Sequence, residues 1–356
     1  MEDPEFDGII QTILKASPEE VESSQDSINL FNRISNNVHN LPKLLQVLEI
    51  QASNKYSLQY LFSLIINLLI QRGSIFDLKS LTEFCQHYLN IISNISPFLI
   101  NNQLIPIASD IAAYFYRFIY EKSMNNPPFE LAYSLSTCEI ESANLLGLNI
   151  LISVLIVMKT PMKHIVSKHI MDTITKSFER AHLADIFRIA FEKVEEKNMQ
   201  IVPTAIHLLI GIFKFVKLPH LQKEKESLSL DNIEYGIPKE MYPFYFDYSF
   251  PMKLFDLFLE TKSTKTIDAI SYFSGISKSS WVEMQLCPFD YINSLEPSLM
   301  QVLETLVDEQ QFYSVSYLIF KLGKLISITR PNTSSTLSNT FIENIQKFSI
   351  QVFSAF

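Results

Sequence analysis

Glycine is scarce in this chain, with seven residues in 356, about 2% where a soluble protein ordinarily carries roughly 7%. Open α/β sheets and all-β folds spend glycine on their many turns, so an all-α fold is expected. The prolines agree with this, because Pro97, Pro127, Pro128, Pro161 and Pro203 fall at or near the breaks between segments of helical length, where a residue without an amide donor does least harm.

Helical signals recur from end to end. Ser17 can cap the free amides of a first helix over 18–36, with Pro18 at its first position. Leu41, Leu44, Leu45 and Leu48 share one helical face over 41–50, and Tyr60, Leu61, Leu64, Ile65, Leu68 and Leu69 do so over 56–71. Arg72 and Gly73 should close that second helix, with a cation in its last turn and glycine just beyond. Further helices are predicted over 78–92, 104–121, 139–158, 162–178, 183–196, 201–216, 254–259, 264–273, 296–308, 312–328 and 341–356. Two helices with their turns span about 40 residues, the length of a HEAT or armadillo unit. The expected architecture is therefore an α-solenoid of antiparallel helix pairs. It divides into a first block over 1–218, an irregular connection over 219–251 and a second block over 252–356. The connection is marked by Pro219, Gly236, Pro238, Pro243 and Pro251 and by the aromatic run from Tyr242 to Tyr248, and 329–340 is a Ser/Thr/Asn-rich turn. The last segment presents Phe348, Ile350, Val352, Phe353 and Phe356, an apolar ending that more chain or a partner should cover.

Charge excludes other classes. The formal balance is −9, the wrong sign for a protein that gains affinity by neutralising phosphates, so a basic partner surface is expected and direct nucleic-acid binding is not. The acidic start Met1-Glu2-Asp3-Pro4-Glu5 lacks the positive charge of a secretory signal. The most apolar run, 145–158, contains Asn149 and Ser153 and falls short of the roughly 20 residues of a membrane span, so it reads as a helix buried on both sides. Cys85, Cys138 and Cys287 lie far apart without metal-ligand spacing and read as reduced, mostly buried thiols.

Chemistry is hard to find. No phosphate-cradling GxGxxG or GxxxxGK[ST] loop occurs. His164 and His169 lie five residues apart, which turns the second about 140° around a helix from the first. His207, within an apolar helix, reads as a hydrogen-bonded core residue. Glu192, Lys193, Glu195, Glu196 and Lys197 mix signs at helical spacing, the mark of a solvated face. Lys159, Lys163, Lys168, Lys176 and Arg180 form a basic stretch that reads as a solvated helix end. The Tyr and Phe residues from Tyr242 to Phe250 read as packing, with partner anchoring as the other use of such a run. No catalytic, cofactor or metal residue is assigned, and the chain is expected not to be an enzyme.

Several stretches carry a family resemblance. The sequences Leu30-Phe31-Asn32-Arg33-Ile34, Leu41-Pro42-Lys43-Leu44-Leu45-Gln46-Val47-Leu48-Glu49 and Tyr56-Ser57-Leu58-Gln59-Tyr60-Leu61-Phe62-Ser63-Leu64-Ile65 resemble the first HEAT repeat of importin-β-superfamily transport receptors. Ile237-Pro238, followed by Met252-Lys253-Leu254-Phe255-Asp256-Leu257-Phe258, is similar to the opening of a middle repeat in the exportin-seven (Ran-binding-protein-sixteen) branch. The resemblance is made of spaced apolar positions over 18–328 and corresponds to the N-terminal part of such receptors. It implies a curved stack that binds GTP-bound Ran and protein cargo, touches the Phe-Gly repeats of the nuclear pore, and shuttles between nucleus and cytoplasm. It transfers no individual contact residue.

Overall fold

The computed structural model describes residues 34, 36–51, 53–123, 129–162, 168–217, 236–328, 342–343 and 345–348. Most of the predicted helix over 18–36, residue 218 and the first part of the connection (219–235), the turn over 329–340, and most of the apolar ending lie outside the described residues. So do Pro127, Pro128, Lys163, His164 and the side chain of Lys168. Among the described residues the regular structure is helical and no β-strand occurs, so the all-α expectation holds. The chain forms two compact units, Met1–Phe178 and Glu179–Phe356.

The first unit contains α1 (Leu41–Ile50), α2 (Lys55–Arg72), α3 (Leu78–Asn94), α4 (Ser96–Asn101), α5 (Ile105–Ser123), α6 (Glu130–Ser136) and α7 (Glu141–Lys159). Local chemistry starts several of them. Asn54 caps α2 by accepting from the amides of Tyr56 and Ser57, and Asp77 caps α3 by accepting from Ser80 at 2.9 Å. Packing joins sequence neighbours and helices two or three places apart: α1 lies against α2 and α3, while α5 lies against α2, α3 and α7. Helix α5 is apolar nearly all round and buried, as its place among these neighbours requires. Its register is held by directed bonds as well as by packing. The Tyr88 hydroxyl donates to the Ala108 carbonyl at 2.9 Å, and Ser153 of α7 donates to Asp110 at 2.7 Å. Helix α7 has the length and hydropathy to cross a membrane, but 72% of its apolar window is buried inside the protein. That agrees with a helix buried on both sides.

Two glycines permit close approach. A Cβ on Gly147 would sit 2.7 Å from the Leu135 carbonyl carbon, where α7 meets α6. Helix α2 closes as predicted, with Arg72 in its last turn and Gly73 just beyond, but Gly73 is not left-handed. Its φ is −55°, it opens a short 3-10 turn (Gly73–Ile75), and a Cβ there would sit 2.6 Å from Cδ2 of the Phe118 ring. Its smallness admits the ring.

Helix α8 (Lys168–Glu195) crosses the division between the units. It replaces the two helices expected over 162–178 and 183–196, because the intervening Glu179, Arg180, Ala181 and His182 contain no glycine or proline to break it. The second unit continues with α9 (Val202–Lys217), the single turn α10 (Pro243–Phe246), α11 (Ser249–Thr261), α12 (Thr264–Ser274), α13 (Lys278–Glu283), α14 (Pro288–Thr305) and α15 (Glu309–Ile328). Here α11 packs on α12 and α14 on α15, while α9 lies on α12, α11 on α14 and α12 on α15. Only Lys262 and Ser263 separate α11 from α12, with Lys262 at φ 56°, so the two helices turn back on each other.

Helix α14 starts eight residues earlier than the predicted 296, and Pro297 lies inside it. The lost helical hydrogen bond costs roughly 3 kcal/mol. Burial of Tyr291, Ile292, Leu295, Leu299 and Val302 along one face outweighs it. Helix α15 starts at Glu309 because Asp308 accepts from the Gln311 amide at 2.8 Å while the Gln311 side chain accepts from the Val307 amide at 3.0 Å.

Candidate functional site

The groups that could carry chemistry are dispersed. Cys85 is buried and its thiol is pushed well up by burial, while Cys138 and Cys287 are half-buried and free. Among the described residues no three His, Cys, Asp or Glu side chains come together in a way that could hold a metal ion. His169 is exposed on α8, beside Thr173 of the next turn. Lys176 and Arg180 belong to the same helix, and Lys159 is half-buried at the end of α7.

The mixed-charge cluster, expected as a solvated face, is an ion-pair network in which Lys193 is buried. Lys193 donates to both oxygens of Glu196 at 2.7 and 2.8 Å, and Arg188 pairs with Glu192 at 3.2 Å. Glu195 pairs with Lys253 of α11, and Lys197 reaches Glu260 at 3.5 Å. These carboxylates fasten the end of α8 to α11 and have no arrangement for acid–base work.

The aromatic run is mainly core. Tyr245 stacks on Phe273 with ring centroids 4.0 Å apart and meets Trp281 edge-on at 6.3 Å. Phe244 lies 4.7 Å from Phe187, and Phe250 lies 4.4 Å from Phe191. Phe246 alone among the large apolar residues of this run is clearly exposed. The run therefore packs as expected, with Phe246 as the exception.

His207 departs from expectation. It is exposed rather than in the core, because it lies on the polar stripe of α9, seven residues from Lys214 on the same face. Partial burial and the charges of Lys265 and Lys214 hold its imidazole below the ordinary pKa. Lys265 belongs to α12, one turn before Asp268, whose carboxyl is pushed up by burial against the opposing effects of a Ser314 hydrogen bond and of the same two lysines. Ser314 is on α15. These interactions gather His207, Lys214, Lys265 and Asp268 across α9 and α12 and tie Asp268 to the buried Ser314 of α15, in the order in which the helices pack.

The exposed side of α15 is aromatic and cationic. Tyr313 and Phe320 are exposed to 76% and 46%, Tyr317 lies between them, and the Tyr317 and Phe320 rings stack at 6.5 Å. Lys321 sits 5.0 Å over Tyr317, and Lys324 sits 5.1 Å over Phe320. Sequence reasoning misses this surface, since its residues come from three helices spread over more than 100 positions. The one signal it offers is the pairing of Tyr and Lys at helical spacing within 313–324.

The arrangement can bind, by charge and by aromatic contact, but among the described residues it brings no nucleophile, base and oriented third group within reach of one another. The chain matches no protein-family model and no curated protein.

Proposed function

We propose that this protein is an α-solenoid that works by holding other proteins, and that it serves as a nucleocytoplasmic transport receptor for GTP-loaded Ran and protein cargo. The observation that carries the binding reading is the ladder of helix packing. In each unit helices pair with a sequence neighbour and stack on a helix two or three places along, a pattern of the kind from which α-solenoids build extended binding surfaces.

The transport reading adds the family resemblance. Its second and third stretches fall on α1 and α2, which form a packed helix pair, and its later stretch falls on α11. Contact with Phe-Gly repeats and shuttling between nucleus and cytoplasm belong to the same reading, and catalysis does not. A scaffold subunit with no link to Ran is the alternative, and the same ladder serves it because fold does not fix function.

Capture of Ran by the purified chain separates the two. Binding to Ran loaded with a non-hydrolysable GTP analogue, and not to GDP-loaded Ran, is the expected result. Equal or absent capture of both forms would replace the transport reading with the scaffold.

A further inference from the structure

The second unit separates its charges by helix layer. Helices α11 and α14 carry Asp256, Glu260, Asp290, Glu296 and Glu304 against the one lysine Lys253, with Lys253 paired to Glu195 and Glu260 to Lys197. On the layer made by α9, α12 and α15 the balance reverses at the surface, with Lys214, Lys265 and Lys324 against Asp268 and Glu309, and Lys321 is a further cation buried at its edge. In a chain of formal charge −9, a face of the opposite sign is where an acidic partner is attracted and a basic one rejected.

We propose that the face formed by α9, α12 and α15 docks an acidic segment of another protein that carries interspersed aromatic side chains. Lys214 and Lys265 are exposed and supply charge at one end. Tyr313, Tyr317 and Phe320 supply rings at the other, with Lys321 and Lys324 over the last two. Aromatic side chains anchor interfaces with little loss of side-chain freedom, and the Lys324 ammonium beside them, with Lys214 and Lys265, selects a carboxylate-rich strand. Asp268 lies within the face and would repel a continuous polyanion, which favours a peptide with spaced carboxylates over a nucleic-acid backbone.

The test is fluorescence anisotropy of a labelled random glutamate–tyrosine copolymer titrated with the full chain. Binding that weakens as salt rises is expected. The pair Lys214→Glu and Lys265→Glu should reduce affinity by about tenfold, and Phe320→Ala should reduce it severalfold at unchanged charge. The pair Asp256→Asn and Glu304→Gln, on the acidic layer, should leave it unchanged. All these positions are exposed, so circular dichroism should show folding unaltered. Absence of copolymer binding, equal binding by the Lys214/Lys265 variant, or displacement by oligothymidylate at lower concentration than by unlabelled copolymer would overturn the proposal. The proposal rests on the reading of the chain as a protein-binding solenoid but not on Ran. Failure with the copolymer removes this surface and leaves Ran capture as it stands, whereas failure of Ran capture leaves the copolymer result intact.

Discussion

Arg117 puts a full charge where water does not reach it. Its guanidinium donates to Glu121, one turn on, and to the Met158 carbonyl of α7, and burial lowers its pKa while Glu121 raises it. Removing one partner of a buried pair strands the other charge, so Glu121→Ala should destabilise the first unit by about 3 kcal/mol. A shift of the circular-dichroism midpoint in urea measures this. His182 offers the corresponding test in the second unit. Burial holds its pKa at about 4 against an ordinary 6.5, partly opposed by Asp185. The unfolded chain therefore takes up a proton between pH 6.5 and about 4 that the folded chain refuses. Stability is fullest above the unfolded value and falls as pH drops through this window, by up to roughly 3 kcal/mol. Urea midpoints at pH 7 and pH 5 should differ more in the native protein than in His182→Leu, and equal differences would refute this role.

Among the helix contacts, the one at Gly147 is the most demanding. Alanine there would drive a Cβ into the backbone of α6, where no side chain can turn aside. Gly147→Ala should cost about 2 kcal/mol or more, although the same change raises helix propensity by roughly 1 kcal/mol. Thermal unfolding decides which wins, and a higher Tm would show that α6 can move away. The helices themselves are largely legible in the sequence. Leu41–Ile50 has the predicted bounds, and α2, α3, α5, α7, α9 and α12 lie within a few residues of theirs, because long amphipathic runs declare their own period. The short α4, α6 and α13 are not legible, since six or seven residues hold too little periodicity and their existence depends on packing. The break expected near 179–182 is absent because Glu179, Arg180, Ala181 and His182 contain no helix breaker.

The whole molecule carries one tryptophan, Trp281, buried in the second unit beside Tyr245 and Tyr291. Its fluorescence therefore reports the second unit, while circular dichroism reports both. In Glu121→Ala the dichroism midpoint should fall before the Trp281 transition, and coincident transitions would mean that the chain unfolds as one cooperative body. Composition and local periodicity suffice to establish that the chain is all-α, where most long helices lie, and that the run over 145–158 is core. Those signals act over a few turns of chain and need no knowledge of what packs where. The remaining features needed the folded arrangement: Gly73 and Gly147 serve close approach, His207 faces outward beside two lysines, and one helix layer of the second unit is basic and aromatic while the other is acidic. Each depends on which helices become neighbours, and long-range contacts of that kind leave no period in the sequence.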